Sequence, residues 1–202
     1  MTAPQRSLPV RAVLALYGAL LAAAFAWRSL LYGEPLLFAS DEAARAGLHV
    51  ARDVGAGLGF ALAAVALSGA AERYTVWGRR LAAELAELVG PLSVSAALLL
   101  AFASGVAEEA FFRGALQPRV GLVAASVLFA LAHVPATRPL RAWTALALVA
   151  GVGLGALFEA TGNLVAPVTA HVAINALGLL DLARRRRARV PAPAAGEACA
   201  RD

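Results

Sequence analysis

The apolar positions gather into six runs, at about 10–27, 54–71, 91–116, 120–134, 143–161 and 164–182. Each reaches or approaches the ~20 residues that a helix, rising 1.5 Å per residue, needs to cross ~30 Å of hydrocarbon. The pattern predicts an all-α fold, a polytopic transmembrane helical bundle of about six spans. Arg6 and Arg11 precede the first run and small residues close it, as in a signal peptide, but an uncleaved first helix is expected. Between the first two runs, residues 28–53 are mixed in charge and punctuated by Gly33 and Pro35, which suits a loop with an interfacial stretch. Residues 73–90 differ. They place Leu81, Leu85 and Leu88 on one side and Arg80, Glu84 and Glu87 on another, predicting an amphipathic helix on the membrane surface rather than a seventh span. The chain thus divides into N-terminal helices with an interfacial segment (1–90), a membrane core (91–182) and a disordered arginine-rich tail (183–202).

Composition agrees with a membrane solvent. The 202 residues are 60% hydrophobic and 15% charged, too little polar surface to cover a soluble globule. The net charge is +5, and all 18 basic residues are arginine, which with the abundant alanine suggests a GC-rich bacterial genome. These arginines cluster at the ends of apolar runs, so they serve as topology signals and a nucleic-acid partner is not expected. With six spans, twelve arginines fall on the side that holds both termini and four, Arg28, Arg45, Arg52 and Arg119, on the other. An integral protein of the bacterial inner membrane with both termini cytoplasmic is expected, with membrane lipids as its surroundings. The single cysteine, Cys199, leaves neither an internal disulfide nor a cysteine metal cluster. Gly151, Gly153 and Gly155 lack the strand and spacing of a dinucleotide fingerprint and suit close helix packing.

Ionisable groups inside apolar runs are expensive, so each is a functional candidate. The third run holds Glu108, Glu109 and Arg113, the fourth His133 four residues after Phe129, and the sixth His171 with Asn175 four residues later. At i and i+4, Glu109 and Arg113 can pair on one helix face, while Glu108 points ~100° away as the free carboxylate. Phe129 and His133 share a face, as do His171 and Asn175. Gln117, Pro118 and Arg119 are expected to form the turn that folds the third and fourth runs into a hairpin. Counted from that turn, Glu108, His133 and His171 converge near mid-membrane.

The string Glu108-Glu109-x-x-x-Arg113, followed by Phe129-x-x-x-His133 and His171-x-x-x-Asn175, resembles the CAAX protease and bacteriocin-processing family of intramembrane endopeptidases. The resemblance covers about residues 91–182. It implies that Glu108 and His133 hold and activate a water, and that His171 and Asn175 donate hydrogen bonds to the oxyanion. A carboxylate buried among apolar residues suits a general base, and fixed N–H donors in a low-dielectric site suit developing negative charge. Glu109 with Arg113 would be a structural ion pair. The substrate would be a membrane-associated protein or peptide: a prenylated CAAX protein, a bacteriocin-type leader, or a C-terminal sorting signal of the myxosortase kind. No cofactor is expected, although a zinc version using Glu108, His133 and His171 stays open because carboxylate and imidazole are reasonable zinc ligands. His-Glu-x-x-His, the rhomboid Gly-x-Ser-Gly and a membrane aspartate pair are all absent from the sequence. The rival from another class is a membrane scaffold or a transporter with Glu108 and His133 as a proton relay, and no internal repeat favours it. His49 sits in a loop, and Glu159 and Asp181 at run ends, where solvation suffices.

Overall fold

In hydrocarbon every backbone N–H and C=O must be satisfied within the segment, which leaves helices for a chain of this pattern. A computed structural model describes residues 9–134 and 141–189. Its elements are α1 (Val10–Phe25, continued by a wider π-helical coil over Ala26–Leu31), α2 (Asp41–Ala46), α3 (Val50–Tyr74) and α4 (Val76–Val89). They are followed by α5 (Val94–Glu109, with a π-helical coil over Ala110–Leu116), α6 (Gln117–Ala132), α7 (Arg141–Thr161) and α8 (Val165–Arg189). Five stretches are long and apolar enough to cross a membrane: Val10–Leu31, Val50–Tyr74, Val94–Ala132, Ala142–Thr161 and Val165–Arg185. The protein is a helical membrane bundle.

The third of these stretches, 39 residues long, holds two of the expected runs. The chain reverses within it, but not at the predicted turn. Gln117, Pro118 and Arg119 are helical, and Pro118 sits in the first turn of α6, where its missing N–H costs nothing. The break falls at Gly121, whose φ of 80° and ψ of 168° suit glycine far better than any residue with a Cβ. Phe112 and Phe129 then meet edge to face at 5.1 Å, although a straight helix would hold them ~25 Å apart. The return leg to Ala132 is only ~16 Å long, so the fourth run is a half-length leg rather than a full span.

Glycines let the long helices approach closely. A Cβ on Gly57 would lie 2.5 Å from the Ala166 carbonyl oxygen, and one on Gly105 would lie 2.6 Å from Val172 Cγ2, so α3 and α5 both press against α8. The same holds on α7. A Cβ on Gly153 would meet the Phe60 ring at 2.4 Å and one on Gly155 would meet Leu122, as the packing expectation for those glycines required. Val10 and Val13 of α1 join Leu92, Ala97 and Ala183 in one apolar cluster, so both ends of the described chain lie at the same end of the bundle. Large side chains such as Leu67, Val123 and Val149 face outward, as a lipid solvent permits.

The opposite end is tied by polar contacts. Asp53, fully buried on α3, accepts from Asn163 Nδ2 at 2.8 Å and Arg52 Nε at 2.8 Å, which locks α3 to the turn between α7 and α8. The 28–53 connection docks there too, with Ala39 N–H donating to the Gly162 carbonyl and Leu164 N–H to that of Leu37. Buried Arg28 pairs with Glu34 at 2.8 Å and donates to the Ala39 carbonyl at 3.1 Å. Arg119 also reaches Glu34, whose hydrogen bond from that guanidinium holds its carboxyl below the usual range.

α4 is the short amphipathic helix expected over 73–90, with Leu81 buried and Arg80 and Glu84 exposed. Leu88, expected on its apolar side, is exposed. The predicted tail begins too early, because α8 stays helical to Arg189 and Ala183 is packed against α5. Residues 190–202, and Arg138 between α6 and α7, lie outside the described residues.

Candidate active site

The site forms where α5, α6 and α8 converge beneath the Gly121 hairpin. Glu109 and Arg113 are both completely buried and paired at 3.0 Å across one helical turn, as their spacing predicted. Arg113 also donates to the Gly151 carbonyl at 3.0 Å, and its guanidinium lies 4.4 Å from the centre of the Phe129 ring. The Glu109 oxygen that accepts from Arg113 also faces His171 Nδ1 at 2.6 Å. Sequence reading gave Glu109 one partner; it has two, joining the third-run and sixth-run motifs through one carboxylate.

Glu108 is different. It points away from that pair, and its Oε2 is buried without a hydrogen-bond partner. Two imidazoles address that oxygen, His133 through Nε2 at 3.5 Å and His171 through Nε2 at 3.9 Å. Each ring is aimed by its other nitrogen. His133 Nδ1 lies 2.8 Å from the Phe129 carbonyl oxygen, an acceptor, so Nδ1 carries the proton and Nε2 turns to Glu108. Phe129 itself is the floor of the site, its ring tilted 38° against that of His133 at 4.5 Å and meeting His171 edge-on at 5.9 Å. The predicted convergence of Glu108, His133 and His171 is therefore present, despite the shifted hairpin.

Asn175 lies one turn from His171 on the same face of α8, and its amide donates to Ser104 Oγ at 2.9 Å. Ser104 precedes Glu108 by one turn of α5, so the Ser104/Glu108 edge faces the His171/Asn175 edge. Asn175 is thus engaged rather than free, with one of its two amide hydrogens left to offer. Two contributors escaped sequence reading. Ser104 gave a signal only in its four-residue spacing from Glu108. Tyr17, a lone hydroxyl in the apolar first run, faces both Ser104 and Glu108 and carried no motif.

Glu108 and the two imidazoles offer donor types that suit zinc. Among the described residues, however, no group of three histidine, cysteine, aspartate or glutamate side chains is arranged to hold a metal ion.

Residues 90–177 match the family model for type II CAAX prenyl endopeptidase Rce1-like proteins. This stretch is therefore similar to Rce1-like proteins. The matched range includes Glu108, Glu109, Arg113, Phe129, His133, His171 and Asn175, the residues that carry the motif resemblance. The chain is also 44% identical over 82 residues to the uncharacterized protein YpbD of Bacillus subtilis (strain 168). That alignment covers 40% of this chain and 40% of YpbD, so it spans about two fifths of the relative's length. No solved structure matches. The description of the Rce1-like family is of an endopeptidase. Together with the apolar helices the match marks an integral membrane protein.

Proposed function

We propose that this chain is an intramembrane endopeptidase that hydrolyses a peptide bond of a membrane-associated protein or peptide. The observation that carries the reading is the buried, unpartnered Oε2 of Glu108, faced by Nε2 of His133 at 3.5 Å and of His171 at 3.9 Å. A water bound among these three atoms would be oriented by His133 and would give its proton to Glu108 as its oxygen bonds to the scissile carbonyl carbon. The carbonyl oxygen becomes an oxyanion. His171 can donate to it from Nε2 only as the doubly protonated ring, because Nδ1–H is committed to Glu109, whose negative charge balances that ring. The remaining amide hydrogen of Asn175 is the second donor. Collapse of the tetrahedral intermediate breaks the C–N bond, and Glu108 returns its proton to the departing amine.

The motif resemblance suggests three substrate classes for this reading: prenylated CAAX proteins, bacteriocin-type leaders and myxosortase-like sorting signals. Arginine asymmetry supports a bacterial inner-membrane setting with both termini cytoplasmic. The zinc-dependent alternative shares the residues and is separated by chelation. The test compares the membrane proteome of a deletion strain complemented with wild type or with Glu108→Gln, followed by cleavage of the accumulated precursor by purified protein. Precursors that are processed by wild type and persist with Glu108→Gln are expected. Processing unaffected by Glu108→Gln would overturn the reading.

A further inference from the structure

The candidate site has one component outside the Rce1-like segment. Helix α1 runs alongside α5 with a fixed register: Val13 and Leu14 pack in the cluster of Ala97 and Leu100, and Ala24 packs in that of Ala110. Tyr17 lies seven residues before Ala24, and Ser104 six before Ala110, so the register delivers Tyr17 to the level of Ser104. There the Tyr17 hydroxyl is in contact with the side chains of both Glu108 and Ser104. Like the two imidazoles, Tyr17 faces the Glu108 carboxylate from another helix.

We propose that Tyr17 is a positioning residue of the active site, donating its phenolic hydrogen to Glu108 so that Oε2 stays aimed at the water held with His133. The inference rests on the protease reading above and extends it to the N-terminal part of the chain. The physical reason is rotational. Glu108 lacks the guanidinium clamp that fixes Glu109, and a carboxylate with no fixed donor can turn about its terminal torsion, which is broad and roughly two-fold. A phenol anchored by helix packing and donating to that carboxylate would restrict that rotation. Through Ser104 the same hydroxyl joins the Asn175 amide, so one side chain of α1 touches both the base and the oxyanion edge.

The chain has three tyrosines, Tyr17, Tyr32 and Tyr74, which makes the contact readable without any substrate. Protein labelled with 13C at the tyrosine Cζ and held in nanodiscs gives a Tyr17 resonance, identified as the one lost in Tyr17→Phe. Glu108→Ala, which removes the acceptor, should move that resonance and leave those of Tyr32 and Tyr74 in place. A Tyr17 resonance unmoved by Glu108→Ala overturns the proposal. In turnover of the precursor identified as above, Tyr17→Phe should lower kcat roughly tenfold to a hundredfold, as loss of a hydrogen bond to a charged group does, with KM within about twofold. Tyr74→Phe, on an exposed side chain, should leave kcat unchanged. A Tyr17→Phe enzyme with full kcat, or with raised KM alone, also overturns it. Glu108→Gln in the same assay keeps the two claims apart: an active Glu108→Gln enzyme sinks the protease mechanism, whereas an inactive one beside a fully active Tyr17→Phe enzyme sinks only the role of Tyr17.

Discussion

Arg113→Ala and Glu108→Gln should separate stability from chemistry at adjacent glutamates. Arg113 is buried to 1% exposure, pairs with Glu109 at 3.0 Å, donates to the Gly151 carbonyl at 3.0 Å and covers the Phe129 ring. Its removal leaves Glu109 in a dry interior with one oxygen already unpartnered and the other held only by His171. Breaking a buried pair by deleting one member costs about 3 to 5 kcal/mol, because the surviving charge stays buried. At ~2 to 4 °C per kcal/mol for a chain of this size, the melting temperature should fall by on the order of 10 °C. Glu108→Gln breaks no ion pair with an arginine and keeps the side-chain volume, so its cost should stay below ~1 kcal/mol while cleavage is abolished. The assay is thermal unfolding of wild type and both variants in one detergent at one protein concentration, with turnover measured on the same preparations. Equal destabilisation by the two substitutions would refute the division of labour between Glu108 and Glu109.

Thorough chelation should leave turnover unchanged, with substoichiometric metal by elemental analysis; activity lost to chelator and restored by zinc would favour the metal reading. Asn175→Ala should cut turnover by roughly a hundredfold or more with little change in apparent substrate affinity, whereas weakened binding at full turnover would make Asn175 a substrate-gripping residue. The hydrogen bond from Arg119, with Arg28 nearby, holds the Glu34 carboxyl below its ordinary 4.5, so its contribution to stability is present above about 4.5 and lost as pH falls through the lowered value. Glu34→Gln should therefore flatten the acid-side loss of thermal stability, which unfolding scans between roughly pH 3 and 6 would show.

Helical periodicity made one-helix relations legible, and these carry much of the candidate site. Glu109 and Arg113 share a face by spacing alone, and so do Phe129 with His133 and His171 with Asn175. What spacing cannot give is register between helices, because that depends on contacts made across long sequence separations. Asp53 and Asn163 meet across 110 positions, and Tyr17 reaches Glu108 from a helix that carries no motif. The hairpin was misplaced for a local reason. Proline is the stronger turn signal in Gln117-Pro118-Arg119, but at the start of a helix it is harmless, and the backbone reversed at the nearest residue free to take a positive φ. The tail was misjudged because an arginine run reads as solvated, although Ala183 and Leu179 still pack against α5 through the last apolar turns.

The double role of Glu109 explains why two motifs more than fifty residues apart act as one unit. Its carboxylate faces a fixed cation, Arg113, at 3.0 Å and a titratable ring, His171, at 2.6 Å. With His171 neutral, the cluster of Glu108, Glu109, Arg113 and His171 carries one net negative charge; with the ring doubly protonated it carries none. A water molecule delivering its proton to Glu108 moves negative charge from that carboxylate onto the oxyanion, a short distance toward His171 Nε2, without changing the total. Charge displacement over a few ångströms costs far less in low dielectric than charge creation. That is a reason for burying two adjacent carboxylates with one arginine and one histidine rather than a single glutamate. It also requires Glu109 and Glu108 to be non-interchangeable, so exchanging partners by Glu109→Gln should lose both fold and activity where Glu108→Gln loses activity alone.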